Sequence, residues 1–474
     1  MNVPSVLSRR RVIGILGFAS LTTVVAACSQ SSGSSVAATT VPGGAATPKP
    51  GGAAPNATPA AAKPALTQGQ KLLTLMFVRP MLSEKQQAQY EKEHPDVRIY
   101  FQNVDLVALM AESAAGTPPD IFRVSAPDLP GFLVRKILYD LTPYYKASSV
   151  LKISDMAPAD KNYWYAGLES GKGEIYGEVN DWSPDMSLWI NAKMFQEAGL
   201  PIPNETEPLT NDQILEYAQK LTKKVGDRTT VMGFGYGFSD GVVEANVHQL
   251  GASIWAPDFS KVNLHSDEAR KVLQFHFNLA KANTTYNPLN PPPSNPTDSF
   301  KAAQAAMVQA GYYYGAQVET DKTRGDVHIR PAIKFGTNFI DPCLSAVGTA
   351  VHAKTKIIDD VWKFLEWMHG GQPAIDRATS GWGVPGLLSL YKYMPDSTPF
   401  QKEVQRVLTN ELKFTDTTVR FNPYISQEPQ SSFTVSWLQH LEAALRNQET
   451  FDQVLSNVEK DVNNAIQDGM SRMK

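Results

Sequence analysis

The sequence predicts an α/β protein built as two lobes, and three observations predict it. Strand and helix patterns alternate from about residue 71 onward. The body after residue 67 holds about 407 of the 474 residues, more than one hydrophobic core serves well. The alternation resumes with different contents after residue 200, and the last 75 residues read mostly as helices.

The elements follow in order. Leu73, Leu75 and Phe77 alternate as a strand of period two. Ser83 and Gln86 have capping-box spacing, and the helix they open ends at His94-Pro95. Val97, Ile99 and Phe101 make a second strand. A helix from about Asp105 stops at Gly116, and a third strand starts at Pro119-Asp-Ile-Phe122. Three strands with two helical crossovers imply a parallel sheet, with ligands beyond the carboxyl ends of the strands. Those ends are Arg79-Pro80 and Val124-Ser-Ala126. Thr210 and Gln213 form another capping box, and Ile214, Tyr217, Ala218 and Leu221 share the face of its helix. A strand near 231–238 precedes a helix through His248. Ala269, Val272, Leu273 and His276 share a further face, so His276 reads as a packed histidine. Strands near 306–311 and 327–335 follow, and Trp437, Leu441, Ala444 and Leu445 form a late helical stripe.

The first 27 residues have another purpose. Arg9 to Arg11 precede an apolar run to Ala27, and no acidic residue occurs before Cys28. That is a secretory signal, too short for a comfortable membrane span. Val25-Ala-Ala-Cys28 fits a bacterial lipobox, so Cys28 is the expected lipidation site. Ser8-Arg9-Arg10 also has twin-arginine character, although plain Sec export explains the same arginines. Residues 28–67 are mostly Ser, Gly, Ala, Pro and Thr with no aromatic, and read as a disordered tether. Signal and tether together carry five basic residues and no acidic one, which leaves the body at a net charge of −8. A nucleic-acid partner is not expected for such a body. With Cys28 as anchor, Cys343 has no partner for a disulfide and reads as a buried structural thiol.

Several stretches carry a family likeness. They are Phe77 through Gly116-Thr-Pro-Pro-Asp-Ile-Phe122, Gly173-Glu-Ile-Tyr-Gly177 with Asp181-Trp-Ser-Pro-Asp-Met-Ser-Leu-Trp-Ile-Asn191, and Gly199-Leu-Pro201. Ala306-Met-Val-Gln-Ala-Gly311 with its tyrosines, Ala353-Lys-Thr-Lys356 before Trp362, and Gly381-Trp-Gly-Val-Pro385 complete the set. In this order and spacing the body resembles the family 1 extracellular solute-binding proteins, the sugar-binding subunits of ABC importers, over nearly all of Lys71 to Met470. The resemblance implies a periplasmic-binding-protein-like fold. Its two discontinuous lobes would be 68–182 with about 338–388, and 183–337 with about 389–474. Crossings are expected near Asp181 to Pro184, near Thr337 to Ser345 and after Leu388, with hinge closure over a ligand. It further implies a monomeric, lipid-anchored binder outside the cell membrane that hands a carbohydrate to permease subunits and is not an enzyme. Arg123-Val-Ser-Ala126 departs from relatives that carry an aromatic and charges there, which leaves the sugar open.

A sugar offers an apolar C–H face for stacking and a rim of hydroxyls for polar groups. Aromatics in loops beside acidic residues or glycine are therefore the candidates: Asp181 with Trp182, Tyr313 within the Tyr312–Tyr314 run, Trp382 between two glycines, and Trp255. Tyr313 is chosen because it matches the stacking aromatic of the family's motif. Trp362 and Trp367 lie on a helix and read as packing. Arg79 is a candidate clamp for an acidic sugar or phosphate ester, or a partner for a nearby acid. Gly237-Phe-Ser239-Asp-Gly241 matches the G-x-S-x-G of a nucleophile elbow, but no Gly-rich oxyanion motif accompanies it. In the resembled family this loop faces the cleft, so Ser239 and Asp240 become hydrogen-bonding groups for a polar solute. No metal or phosphate-cradling motif is present, and no cofactor is expected. Peptide or polyamine capture is the alternative, and a lipid-anchored hydrolase using Ser239 a more distant one.

Overall fold

The computed structural model describes residues 63–473 except 227, 320–325, 337–339, 341, 416–418 and 426–430. The signal, Cys28, all but the last five tether residues and part of the expected Thr337–Ser345 crossing lie outside the described residues.

β1 (Lys71–Phe77) pairs in parallel with β2 (Val97–Asn103) and β3 (Ile121–Ser125), with Leu73 opposite Ile99 and Leu75 opposite Phe101. The helix between the first two, Glu84–Glu93, starts on the expected box: the Gln86 amide donates to Ser83 Oγ at 3.2 Å, and the Ser83 amide to Gln86 Oε1 at 3.0 Å. The helix Leu106–Ala115 is capped by Asp105 and ends at Gly116 with φ 79°, a left-handed value that favours glycine. A small three-stranded antiparallel sheet, with β4 (Trp164–Ala166) between β5 (Glu169–Ser170) and β6 (Glu174–Ile175), leads to β7 (Gly177–Trp182).

The chain then enters a second sheet. β8 (Leu188–Asn191) is followed by the hairpin β9 (Lys223–Val225) and β10 (Arg228–Gly235), then β11 (Ala305–Gln309) and β12 (Val327–Arg330), in the order β12-β8-β11-β10-β9. It returns to the first sheet as β13 (Val347–Val351) and β14 (Val384–Pro385), which complete the order β14-β7-β13-β3-β1-β2. The parallel arrangement holds for β2-β1-β3 and for β10-β11. The returning β13 runs antiparallel to both β3 and β7, and β8 runs antiparallel to β11 and β12, so both sheets are mixed.

The final helices, Pro399–Glu411, Ser432–Leu445 and Phe451–Ser471, belong with the second sheet. Arg330 Nη1 of β12 meets Glu403 at 2.7 Å, and His328 Nδ1 meets the same carboxylate at 2.8 Å. Trp437, Leu441, Val454, Leu455 and Val458 share one buried cluster with Ile190, Phe234, Leu273 and Met307. Burying side chains of this size contributes roughly 1.5–3 kcal/mol each. Trp362 and Trp367 pack with Tyr144, Tyr145 and Phe364 on the first lobe, as read from the sequence.

Because β7 and β3 both run antiparallel to β13, β1, β3 and β7 end at one edge of the first sheet. β10, β11 and β12 likewise end together, since β8 is antiparallel to both β11 and β12. The passages between lobes leave from these edges: 183–187 after β7, and the stretch between Arg330 and Val347 after β12.

Candidate functional site

On the first lobe the candidate site is organised by one ion pair. Asp181, one residue before the end of β7, is largely buried, and its Oδ2 accepts from Arg377 Nε at 2.9 Å and Nη2 at 2.7 Å, and from Asn180 Nδ2 at 2.6 Å. Among the described residues its Oδ1 receives no hydrogen bond. A Cβ built on Gly383 would lie 3.0 Å from that oxygen and 2.7 Å from Asp181 Cβ, so only glycine fits the turn there. The guanidinium of Arg377 covers the ring of Trp382, 5.2 Å from its centroid, and Nη1 reaches the Pro80 carbonyl at 3.4 Å. Trp382 is 37% exposed, the most exposed of the eight tryptophans. Gly381 before it has φ 68°, which gives the turn its shape.

Trp182 differs from the expectation. It is the last residue of β7, paired with Val384, only 4% exposed, and its ring N–H donates to the Pro385 carbonyl at 3.2 Å. Edge-strand pairing turns the indole into the core between β7 and β14, where it offers no stacking face to solvent. Arg79 is neither a free clamp nor paired with an acid: its guanidinium lies over Phe101, 3.6 Å from the ring centroid, and Nη1 donates to Gln87 at 2.9 Å.

On the second lobe Tyr313 follows β11 and Gly311. A Cβ on Gly311 would fall 2.1 Å from Ser183 Oγ, 2.8 Å from Asp185 Oδ1 and 3.0 Å from Tyr313 Cε1, so this tyrosine sits against the first passage between lobes. Burial and the nearby Asp185 push its hydroxyl up to about 12. Ser239 is the N-cap of the helix Asp240–His248: its Oγ accepts from the Val242 amide at 3.2 Å. That is a capping role, and no described histidine hydrogen-bonds the hydroxyl as a nucleophile's base would. Asp240, in the first turn, is buried. Gly237 just before them has open space around it.

Trp255 also departs from the expectation of a cleft-lining ring. It is 4% exposed within the second-lobe core. Its loop is clamped from both sides. Glu244 accepts from Ser253 Oγ at 2.7 Å and the Ile254 amide at 2.8 Å, while Arg420 donates to the Ala256 and Pro257 carbonyls at 3.1 Å. A loop so held directs the indole inward, so Trp255 is structural. His276 is packed as expected, against Tyr236, Phe238 and Phe275, and burial lowers it to about 3.

The two passages between lobes are tied to each other. Asp185 Oδ2 accepts from the Leu344 amide at 2.7 Å, the Ser345 amide at 2.8 Å and Ser345 Oγ at 3.2 Å; Oδ1 accepts from Ser183 Oγ at 2.7 Å. Glu411 joins them again, accepting from Ser187 Oγ at 2.7 Å and the Ala332 amide at 2.9 Å. Cys343 is buried between these contacts, and burial raises its thiol well above the usual range. A cavity of about 460 Å³ lies beside the Trp382 turn, walled by Thr379–Gly381 from the first lobe and by Ala316 and Glu319 from the second. No group of three or more metal-binding side chains occurs among the described residues.

Arg377 and Asp185 are functional candidates that sequence reasoning missed. Asp185 stood within the Asp181-Trp-Ser-Pro-Asp motif, and Arg377 lay four residues before Gly381. Their partners are distant in sequence, so only the fold reveals their roles.

The architecture is that of two mixed α/β lobes joined by passages at their strand ends. Residues 80–370 match the sequence profile described as bacterial extracellular solute-binding protein, and the chain belongs to that family. The structure is similar to an ABC substrate-binding protein from Listeria monocytogenes solved with cycloalternan (20% identity, TM-score 0.70, covering 84% of this chain and 99% of that one). It is also similar to the acarbose-binding GacH receptor of Streptomyces glaucescens (17%, 0.62, 84% and 99%) and to the sugar-binding protein MalE of Xanthomonas citri (16%, 0.63, 85% and 98%). No curated protein matches the chain in sequence. No helix among the described residues is long and apolar enough to cross a membrane.

Proposed function

We propose that this protein captures a carbohydrate between its lobes and delivers it to the permease subunits of an ABC importer. In this reading it works as a monomer, anchored outside the cell membrane through lipidated Cys28 and tethered by the residues up to 67. The lobes comprise 68–182 with about 338–388, and 183–337 with about 389–474. The observation that carries the reading is the corner formed by Trp382, Arg377 and Asp181. An indole with one face on a guanidinium keeps its other face for a sugar's C–H surface. Beside it a carboxylate has one oxygen saturated and one left to accept a hydroxyl. In this reading Tyr313 and Ser239 contribute from the second lobe. The sugars bound by similar structures, cycloalternan, acarbose and mannotriose among them, support the same ligand class. Arg377 neutralises the carboxylate, which favours a neutral ring over a polyamine.

A thermal-shift screen tests this. A sugar present at about 100 Kd stabilises by about 2.7 kcal/mol. Neutral oligosaccharides are expected to raise the melting temperature and spermidine or short peptides to leave it unchanged. The reverse pattern contradicts the carbohydrate reading.

A further inference from the structure

The passages between the lobes meet at one carboxylate. Asp185 lies in the first and takes three hydrogen bonds from Leu344 and Ser345 in the second. Its own amide donates to the Pro342 carbonyl at 2.9 Å. Its other oxygen is held by Ser183 Oγ and abuts Gly311, where added bulk would collide with both. Gly311 in turn precedes Tyr313. One side chain therefore touches both passages and the strand end that carries a proposed ligand-facing ring.

We propose that Asp185 is the positioning residue of the hinge: its carboxylate fixes the angle between the two passages and, through Gly311, the seat of Tyr313. This rests on the proposed capture between lobes. Charge-assisted bonds from two amides and two hydroxyls are stronger and shorter than neutral ones, so they set a preferred hinge geometry. The ionisable groups facing Asp185 are the Tyr313 hydroxyl and the Cys343 thiol, and among the described residues no cation pairs with it. Burial pushes the carboxyl up to about 6 against the pull of its donors. The folded value is raised, so stability from this group is fully present below the ordinary value near 3.8 and is lost as pH rises through about 6. The ionised clasp thus costs fold stability while it orders the hinge. Below pH 6 the proton removes the charge that the Leu344 and Ser345 amides bind, and the angle relaxes.

Interlobe distances test this without any ligand. Spin labels at Lys92→Cys and Lys220→Cys, on exposed helical positions of the two lobes, report the distribution by pulsed electron resonance in the mature chain. At pH 7.5 one narrow distribution is expected, broadening at pH 5. Asp185→Asn, a neutral isostere, should be broad at both pH values. Ser345→Ala, a milder change that removes one donor, should broaden partially at pH 7.5. An Asp185→Asn distribution and pH response equal to the parent's overturns the proposal; should that variant not fold, an unchanged Ser345→Ala distribution does so. With mannotriose as probe, Asp185→Asn should weaken binding at least tenfold, chiefly through faster dissociation. If no sugar binds but the distances behave as described, the ligand class fails and the hinge role stands.

Discussion

Trp182 and Trp382 sit at the same corner of the first sheet and behave oppositely. Both stand next to small or polar residues in sequence, and the pairing of β7 with β14 brings the two segments together. Trp182 ends a strand, so its direction is dictated by the pleat, and it points into the core. Trp382 lies in a turn between glycines, where no pleat governs it, and a guanidinium props one face while the other meets solvent. Neighbouring residue type does not decide whether an aromatic faces the core or solvent; the backbone state of the position does.

The largest effect that sharpens this contrast is expected from Trp182→Ala. Removing a buried indole and its hydrogen bond should destabilise the fold by about 3–5 kcal/mol in urea titration. A loss under about 1 kcal/mol breaks the assignment of Trp182 to the core. Arg377→Met comes next. It strands the buried Asp181 carboxylate and should cost a similar or smaller amount, up to about 3–5 kcal/mol, and the double variant with Asp181→Asn should recover part of that. Equal melting temperatures for single and double variants contradict a shared ion pair.

A smaller effect concerns two buried acids on and beside β7. Glu178 and Asp160 are both buried, and the Tyr145 hydroxyl donates to Glu178. Burial raises both carboxyls, Glu178 to about 8. A raised folded value means stability is full in acid and is lost as pH rises from the ordinary carboxylate range through about 8. Glu178→Gln should flatten that decline in melting temperature between pH 5 and 8.5; an unchanged slope shows that Glu178 is ionised in the fold.

Much of the architecture was legible in the sequence. The period-two strands, the capping boxes at Ser83 and Thr210, the stop at Gly116 and the packed His276 appear where local chemistry puts them. Local rules act within a few residues, so they survive folding. The antiparallel return of β13 was not legible, because strand direction there depends on a passage out of the other lobe. The proposed corner was half legible for the same reason. Trp382 was marked by its glycines and Asp181 by its aromatic neighbour. Their link, Arg377, lies 196 residues from Asp181, and no local pattern encodes it. Trp255 was misread because Glu244 and Arg420, which turn its loop inward, act from outside the loop.

The most direct test of the central claim is calorimetric titration of Trp382→Ala with the neutral oligosaccharide that most stabilises the parent protein. A melting temperature within a degree or two of the parent is expected, since the indole is exposed, together with at least a tenfold loss of affinity. Undiminished affinity in a folded Trp382→Ala variant contradicts the assignment of this corner as the sugar-binding site.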